Sequence, residues 1–136
     1  VVEMRPDLVY SVLCDDVRQE RNGKFIFIGV FQNIWVQKLP AIHHRICIAN
    51  SWYNGIGTFH AQSMIIAPDK KTKIIESVPV KIRLTETNRG SVVVNFFQNV
   101  RFSNTGLHWV EVSLEDMLVT RYPFMIKQAP PPPQKG

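Results

Sequence analysis

Apolar side chains in this sequence recur at every second position, and helical spacing is almost absent, so the chain is expected to fold entirely from β-strands. The clearest stretch is 78–86, where Val78, Val80, Ile82 and Leu84 alternate with Pro79, Lys81, Arg83 and Thr85, as a strand with one dry and one wet face requires. Asn88-Arg89-Gly90 then turns the chain. Over 92–102 the alternation predicts Val92, Val94, Phe96, Val100 and Phe102 on the inner face. Val93, Asn95, Phe97, Asn99 and Arg101 fall on the outer one, with Gln98 breaking the inner row. After a turn at Ser103–Gly106, Val110, Val112 and Leu114 alternate with Trp109, Glu111 and Ser113, and Glu115-Asp116 closes a two-residue hairpin. A last strand, 117–127, carries Leu118, Tyr122, Phe124 and Ile126 inward, and Pro123 marks it for an edge.

Earlier in the chain, 8–14 and 24–36 read as strands, the second interrupted by Gly29 at a bulge or bend, with Asn22-Gly23 as a hairpin signal before it. Asp15–Arg21 is expected to be a loop or a single helical turn. A further pair, 43–54 and 57–67, is joined through Asn54-Gly55. Eight or nine strands at this spacing predict a two-sheet antiparallel β-sandwich. One domain, 7–128, is flanked by a short lead, 1–6, and a proline-rich tail, 129–136, whose composition favours polyproline II or disorder.

With 136 residues the chain can bury about two-thirds of its surface, enough for one core without staples. Sixteen Lys and Arg against eleven Asp and Glu leave a net charge of +5, a mild attraction for polyanions, but the cations are scattered rather than gathered into an arm. Cys14 and Cys47 each sit among apolar neighbours, as reduced core thiols do, and a disulfide between them stays open. No charged-then-apolar leader, membrane-length apolar run or lipidation motif is visible, so the expectation is a cytoplasmic protein without membrane contact.

Metal and enzyme signals are weak. His43 and Cys47 share a strand face but lie about 13 Å apart along it, too far for one ion. Asp15-Asp16 cannot fill a calcium shell alone. A nucleophile elbow, a phosphate-cradling loop and a dinucleotide fingerprint are missing, which leaves constellations assembled from distant strands, such as Cys47 beside His60. The reading is therefore no enzyme, no cofactor, no metal and no catalytic residue.

The outer face of the C-terminal strands is more informative. If those strands are neighbours, they display Lys81, Arg83, Val93, Asn95, Phe97, Asn99, Arg101, Leu107, Trp109, Val119, Arg121 and Met125 together, a surface too apolar for open water. This predicts a protein-interaction or self-associating module, a homo-oligomer or a dock for another protein. Its binding residues would be Phe97, Arg101, Trp109, Arg121, Arg83, Lys81 and Met125. The alternative is a polyanion or single-stranded nucleic acid stacked on Trp35, Trp109 and Phe97, with Lys81, Arg83, Arg101 and Arg121 on its phosphates. A third reading is carbohydrate binding, since Trp beside Asn and Gln on a flat sheet also suits sugar rings.

The order of signals resembles a known pattern. Val12-Leu13-Cys14-Asp15-Asp16, Asn22-Gly23-Lys24, Ile28-Gly29-Val30-Phe31, Leu39-Pro40, Thr105-Gly106-Leu107-His108-Trp109 and Tyr122-Pro123-Phe124 are similar to a bacterial family of small uncharacterised all-β proteins, over about residues 8–127. The resemblance implies an immunoglobulin-like sandwich and an intracellular bacterial origin. It implies no activity, and Glu115-Asp116 departs from the family's Asp-Gly type of turn.

Overall fold

A computed structural model describes residues 3–130, and the proline-rich segment from 131 onward lies outside them. Among the described residues there are ten strands and no helix: β1 (Asp7–Gln19), β2 (Phe25–Val30), β3 (Asn33–Val36), β4 (Ala41–Tyr53), β5 (Gly57–Ile66), β6 (Lys73–Glu76), β7 (Val80–Leu84), β8 (Ser91–Phe102), β9 (Gly106–Leu114) and β10 (Met117–Gln128). Four strands form one sheet in the order β2-β1-β4-β8. The other six form a second sheet, β3-β10-β9-β5-β6, in which β7 takes the part of the β5 edge that β6 leaves free. All pairs run antiparallel except β3 with β10, which is parallel.

Several expectations are corrected here. The strand count is ten, because β6 carried no clear signal and because the single strand expected over 24–36 is two, broken at Phe31-Gln32 and shared between the sheets. Gly29 stands at the bend with φ 68°, and the Asp15 carboxylate fills the space where a Cβ would be. The segment Asp15–Arg21 is mostly strand, since β1 continues to Gln19. Asp16 there accepts Arg18 and the cross-strand Arg45, each at 3.0 Å, so pairing with neighbours overrides a local turn preference. The lead is partly docked: Met4 and Ile56 exchange two backbone hydrogen bonds of 2.8 Å.

Both sheets feed one hydrophobic core. The four-stranded sheet supplies Leu13, Ile46, Ile48, Trp52, Phe97 and Phe102, and the other supplies Phe59, Ile65, Ile82, Val110, Phe124 and Ile126 among others. Two polar links cross between the sheets. Asn50 Nδ2 donates to Ser63 Oγ at 2.6 Å, and the Ser11 and Tyr122 hydroxyls meet at 2.8 Å.

Strand β8 reverses the sequence expectation over its first half. Val93, Asn95 and Phe97 are the buried row, Phe97 with 5% exposure, while Phe96 is 49% exposed on the opposite face. The cause is Asn99, whose φ of 54° turns the backbone over so that Val100 and Phe102 again point inward. On β4, Cys47 and Ala49 lie on the face opposite Ile46 and Ile48, yet both are fully buried. Their cross-strand neighbours are Cys14 and Phe96, and Val12 and Val94. The four-stranded sheet curls, and the β1–β2 hairpin brings the Phe27 ring within 5.7 Å of Tyr10.

One side of the molecule has open edges. Strand β2 joins β1 only from Cys14 onward and β3 joins β10 only from Met125 onward, so the earlier part of each long strand has an unpaired side. Both stretches are irregular: register shifts fall at Val9 in β1 and at Val119 in β10. Pro123 also falls in the unpaired stretch of β10, where a missing N–H leaves no ladder partner unsatisfied.

His108 is fully buried against Phe102 and Phe124, with ring centroids at 5.4 and 5.6 Å. Its Nδ1 lies 3.0 Å from the Gly106 carbonyl and must carry the proton, while Nε2 has no protein partner. Burial therefore holds its pKa below the ordinary 6.5, and burial lowers that of His43 as well. Below that ordinary value the unfolded chain takes up protons that the folded chain refuses, so stability is complete above it and falls as the pH drops through it. Melting temperatures at pH 8 and pH 5 are expected to differ more for the wild type than for His108→Leu, with His43 sustaining the remaining loss.

Candidate functional site: the outer face of the six-stranded sheet

Alternation along three adjacent strands builds the site. In β9 the inward row is His108, Val110, Val112 and Leu114, which leaves Leu107, Trp109, Glu111 and Ser113 outward. In β10, Phe124 and Ile126 are buried, so Arg121, Pro123, Met125 and Lys127 face out. In β3, Ile34 and Val36 are buried, and Asn33 and Trp35 face out. Register then sets the neighbours: Trp35 beside Lys127, Asn33 beside Met125, Met125 beside Leu107, and Pro123 beside Trp109. The result is an apolar row crossing three strands from Trp35, which is 61% exposed, to the half-buried Trp109.

Apart from the Glu111–Arg121 pair, its charges are of one kind. Lys127 Nζ lies 5.2 Å from the Trp35 ring centroid and Lys70 Nζ 4.6 Å from that of Trp109, contacts worth about 0.5–1 kcal/mol each at exposed sites. Glu111 is the carboxylate within the row's strands, and Arg121 neutralises it through bonds of 2.9 and 3.1 Å to the same oxygen. Strands β3, β4, β8 and β10 contain no Asp or Glu at all. The surface therefore joins aromatic and aliphatic groups to lysines that have no acidic partner on its strands.

The seven residues expected to bind are only partly brought together. Trp109, Met125 and Arg121 share this face, Trp109 standing opposite Pro123, which separates Arg121 from Met125 along β10. Lys81 and Arg83 of β7 are exposed opposite His60 and Thr58, at the far end of β5, about 20 Å along the strand from Ile66 beside Trp109. Phe97 is a correction: it belongs to the core, in the other sheet, and cannot anchor a partner. Arg101 is exposed but also belongs to the other sheet, opposite Ile42. Sequence reasoning had set the four C-terminal strands side by side, whereas only β9 and β10 pair with each other. It left Lys127 and Lys70 out and gave Trp35 only to the nucleic-acid reading, because the parallel β3–β10 contact has no local sequence signal.

Other arrangements offer little chemistry. Cys47 faces away from the second sheet while His60 stands on the outer surface of that sheet, so the structure does not bring this pair together. Among the described residues no group of three His, Cys, Asp or Glu is placed to hold a metal ion. A cleft of about 540 Å³ opens between β1 and β10, lined by Ser11, Leu13, Phe31, Tyr122 and Phe124. Burial pushes the Tyr122 phenol up to about 12, so it stays protonated and cannot serve as a base near neutrality. No helix among the described residues is long and apolar enough to cross a membrane.

Two sheets of β-strands around a shared core, with no helix among the described residues, define an all-β protein. The chain belongs to a family of unknown function, DUF6941, whose profile matches residues 9–127. No curated protein matches it in sequence. Among solved structures it is similar to the Pseudomonas fluorescens alkylpurine DNA glycosylase AlkC bound to DNA containing an abasic site analog, with a TM-score of 0.56 and 9% identity. That likeness covers 91% of this chain and 31% of the glycosylase, and at this identity it concerns the fold alone.

Proposed function

We propose that this chain is a non-enzymatic docking module, built as an immunoglobulin-like sandwich, that binds a second copy of itself or another protein through the outer face of the six-stranded sheet. The supporting observation is the row Trp35, Met125, Leu107, Pro123 and Trp109, in which Met125 pairs with Leu107 and Pro123 with Trp109, and Trp35, paired with Lys127, stands diagonal to Met125. Trp, Met and Arg are the residue types enriched at protein interfaces, and a few buried aromatic anchors usually carry most of the affinity. Trp35 replaces Phe97 as the expected anchor.

Light scattering over a concentration series tests the self-associating form. The wild type is expected to rise above the 15.7 kDa of one chain, and Trp35→Asp to remain there at every concentration. A wild type that stays at the single-chain mass removes the dimer.

A second reading, single-stranded nucleic acid, draws support from the two Trp–Lys pairs, which combine a stacking surface with a phosphate partner. Salt separates the two readings. A labelled oligonucleotide that shows no binding at low ionic strength ends the nucleic-acid version.

A further inference from the structure

We infer that Cys14 and Cys47 form a disulfide-forming pair, a covalent clasp placed where β1 parts from β4 and takes up β2. The two residues are direct partners in the antiparallel β1–β4 ladder, and Cys14 is also the first residue of β1 to pair with β2, opposite Val30. Residues directly opposite in such a ladder point to the same face with Cβ atoms about 4.5–5.5 Å apart. A disulfide needs about 3.5–4.5 Å between Cβ atoms, so a small local closure suffices. Both thiols are oriented alike: Cys14 Sγ donates to the Asp16 carbonyl and Cys47 Sγ to that of Asp15, each at 3.4 Å. The chain contains no third cysteine to compete.

Both thiols are free and buried, which sets the route. The oxidant is a low-molecular-weight disulfide such as oxidised glutathione. One cysteine thiolate attacks it, forming a mixed disulfide and expelling one small thiol. The second cysteine thiolate then attacks the protein sulfur of that bond, closing the Cys14–Cys47 bond and expelling the other small thiol. Two protein thiols lose two electrons and two protons, and one reagent disulfide becomes two thiols. The reagent gains access when the β1–β2 hairpin, held down in part by the Tyr10–Phe27 contact, swings away, or before the strands have paired during folding. The reduced form belongs to a reducing environment and the clasped form to an oxidising one.

The experiment refolds the full chain from denaturant in a buffer of oxidised and reduced glutathione, quenches with acid, alkylates and measures the intact mass. The expected product is about 2 Da lighter than the reduced protein, carries no alkyl group, and melts roughly 10 °C higher because the bond closes a loop of about thirty residues. Cys47→Ser should instead retain glutathione on Cys14. Two results overturn the inference: both thiols alkylated after equilibration under conditions that oxidise the unfolded chain, or a clasped form that melts no higher than the reduced one. The wild-type masses decide the matter even if the serine variant fails to fold.

Discussion

Phe102→Ala is expected to cost about 3–5 kcal/mol and to lower the melting temperature by roughly 10–15 °C, because a whole aromatic side chain is removed from a site with no access to water. Phe102 is fully buried at the end of β8 and meets His108 and Phe124 edge-on, with ring centroids at 5.4 and 6.1 Å. These contacts join the open end of the four-stranded sheet to β9 and β10. Neighbours held in two sheets cannot close over the void, so the cavity cost adds to the lost transfer free energy. Phe102→Leu keeps most of the volume and should cost about 1.5 kcal/mol. Urea unfolding measures both; equal losses for the two variants would mean that the retained volume contributes nothing and the cavity argument fails.

The second large effect lies at the polar link in the middle of the core. Asn50 and Ser63 are almost wholly buried and bonded at 2.6 Å, and Ser63 is tied to Ser77 through its backbone N–H at 3.0 Å and its carbonyl at 2.8 Å. Asn50→Ala leaves a void and deprives the Ser63 hydroxyl of its partner, an expected loss of about 2–4 kcal/mol. Ser63→Ala alone should cost about 1–2 kcal/mol, since it strands the Asn50 amide instead. Joined in one chain, the two changes should cost about 1 kcal/mol less than their sum, because the second no longer breaks a bond. Strict additivity in a double-mutant cycle would show that the bond does not hold the sheets together.

How much of this was legible in the sequence depended on whether local alternation survived. In β9 it did, and the outward row of Trp109, Glu111 and Ser113 is as the period-two pattern predicts. The hairpin at Glu115-Asp116 was also legible, and both residues have positive φ, 51° and 62°, as a tight two-residue turn needs. In β8 a single residue misled the reading. Asn99 takes a left-handed conformation inside a strand, which flips every side chain before it relative to those after, and Gln98 in the inner row was the only visible trace. The split of β2 from β3 and the parallel seating of β3 on β10 depend on contacts some ninety residues apart, which no window of neighbouring residues records. The candidate face was therefore half legible: Leu107, Trp109, Arg121 and Met125 were found and Lys127 on the same β10 was not, while Trp35 entered from a distant strand and Phe97 left it for the core.

The irregular stretches of β1 and β10 bear on strand-to-strand aggregation. A straight, bare strand rim is a template on which further chains stack without limit, the route to fibres. Here the kinks at Val9 and Val119, together with Pro123, spoil that template on the side where both sheets end. The proposed docking face, on the broad side of the sheet, would then be open to a partner without the strand ends offering a template for the end-on growth that turns a β-rich chain into amyloid.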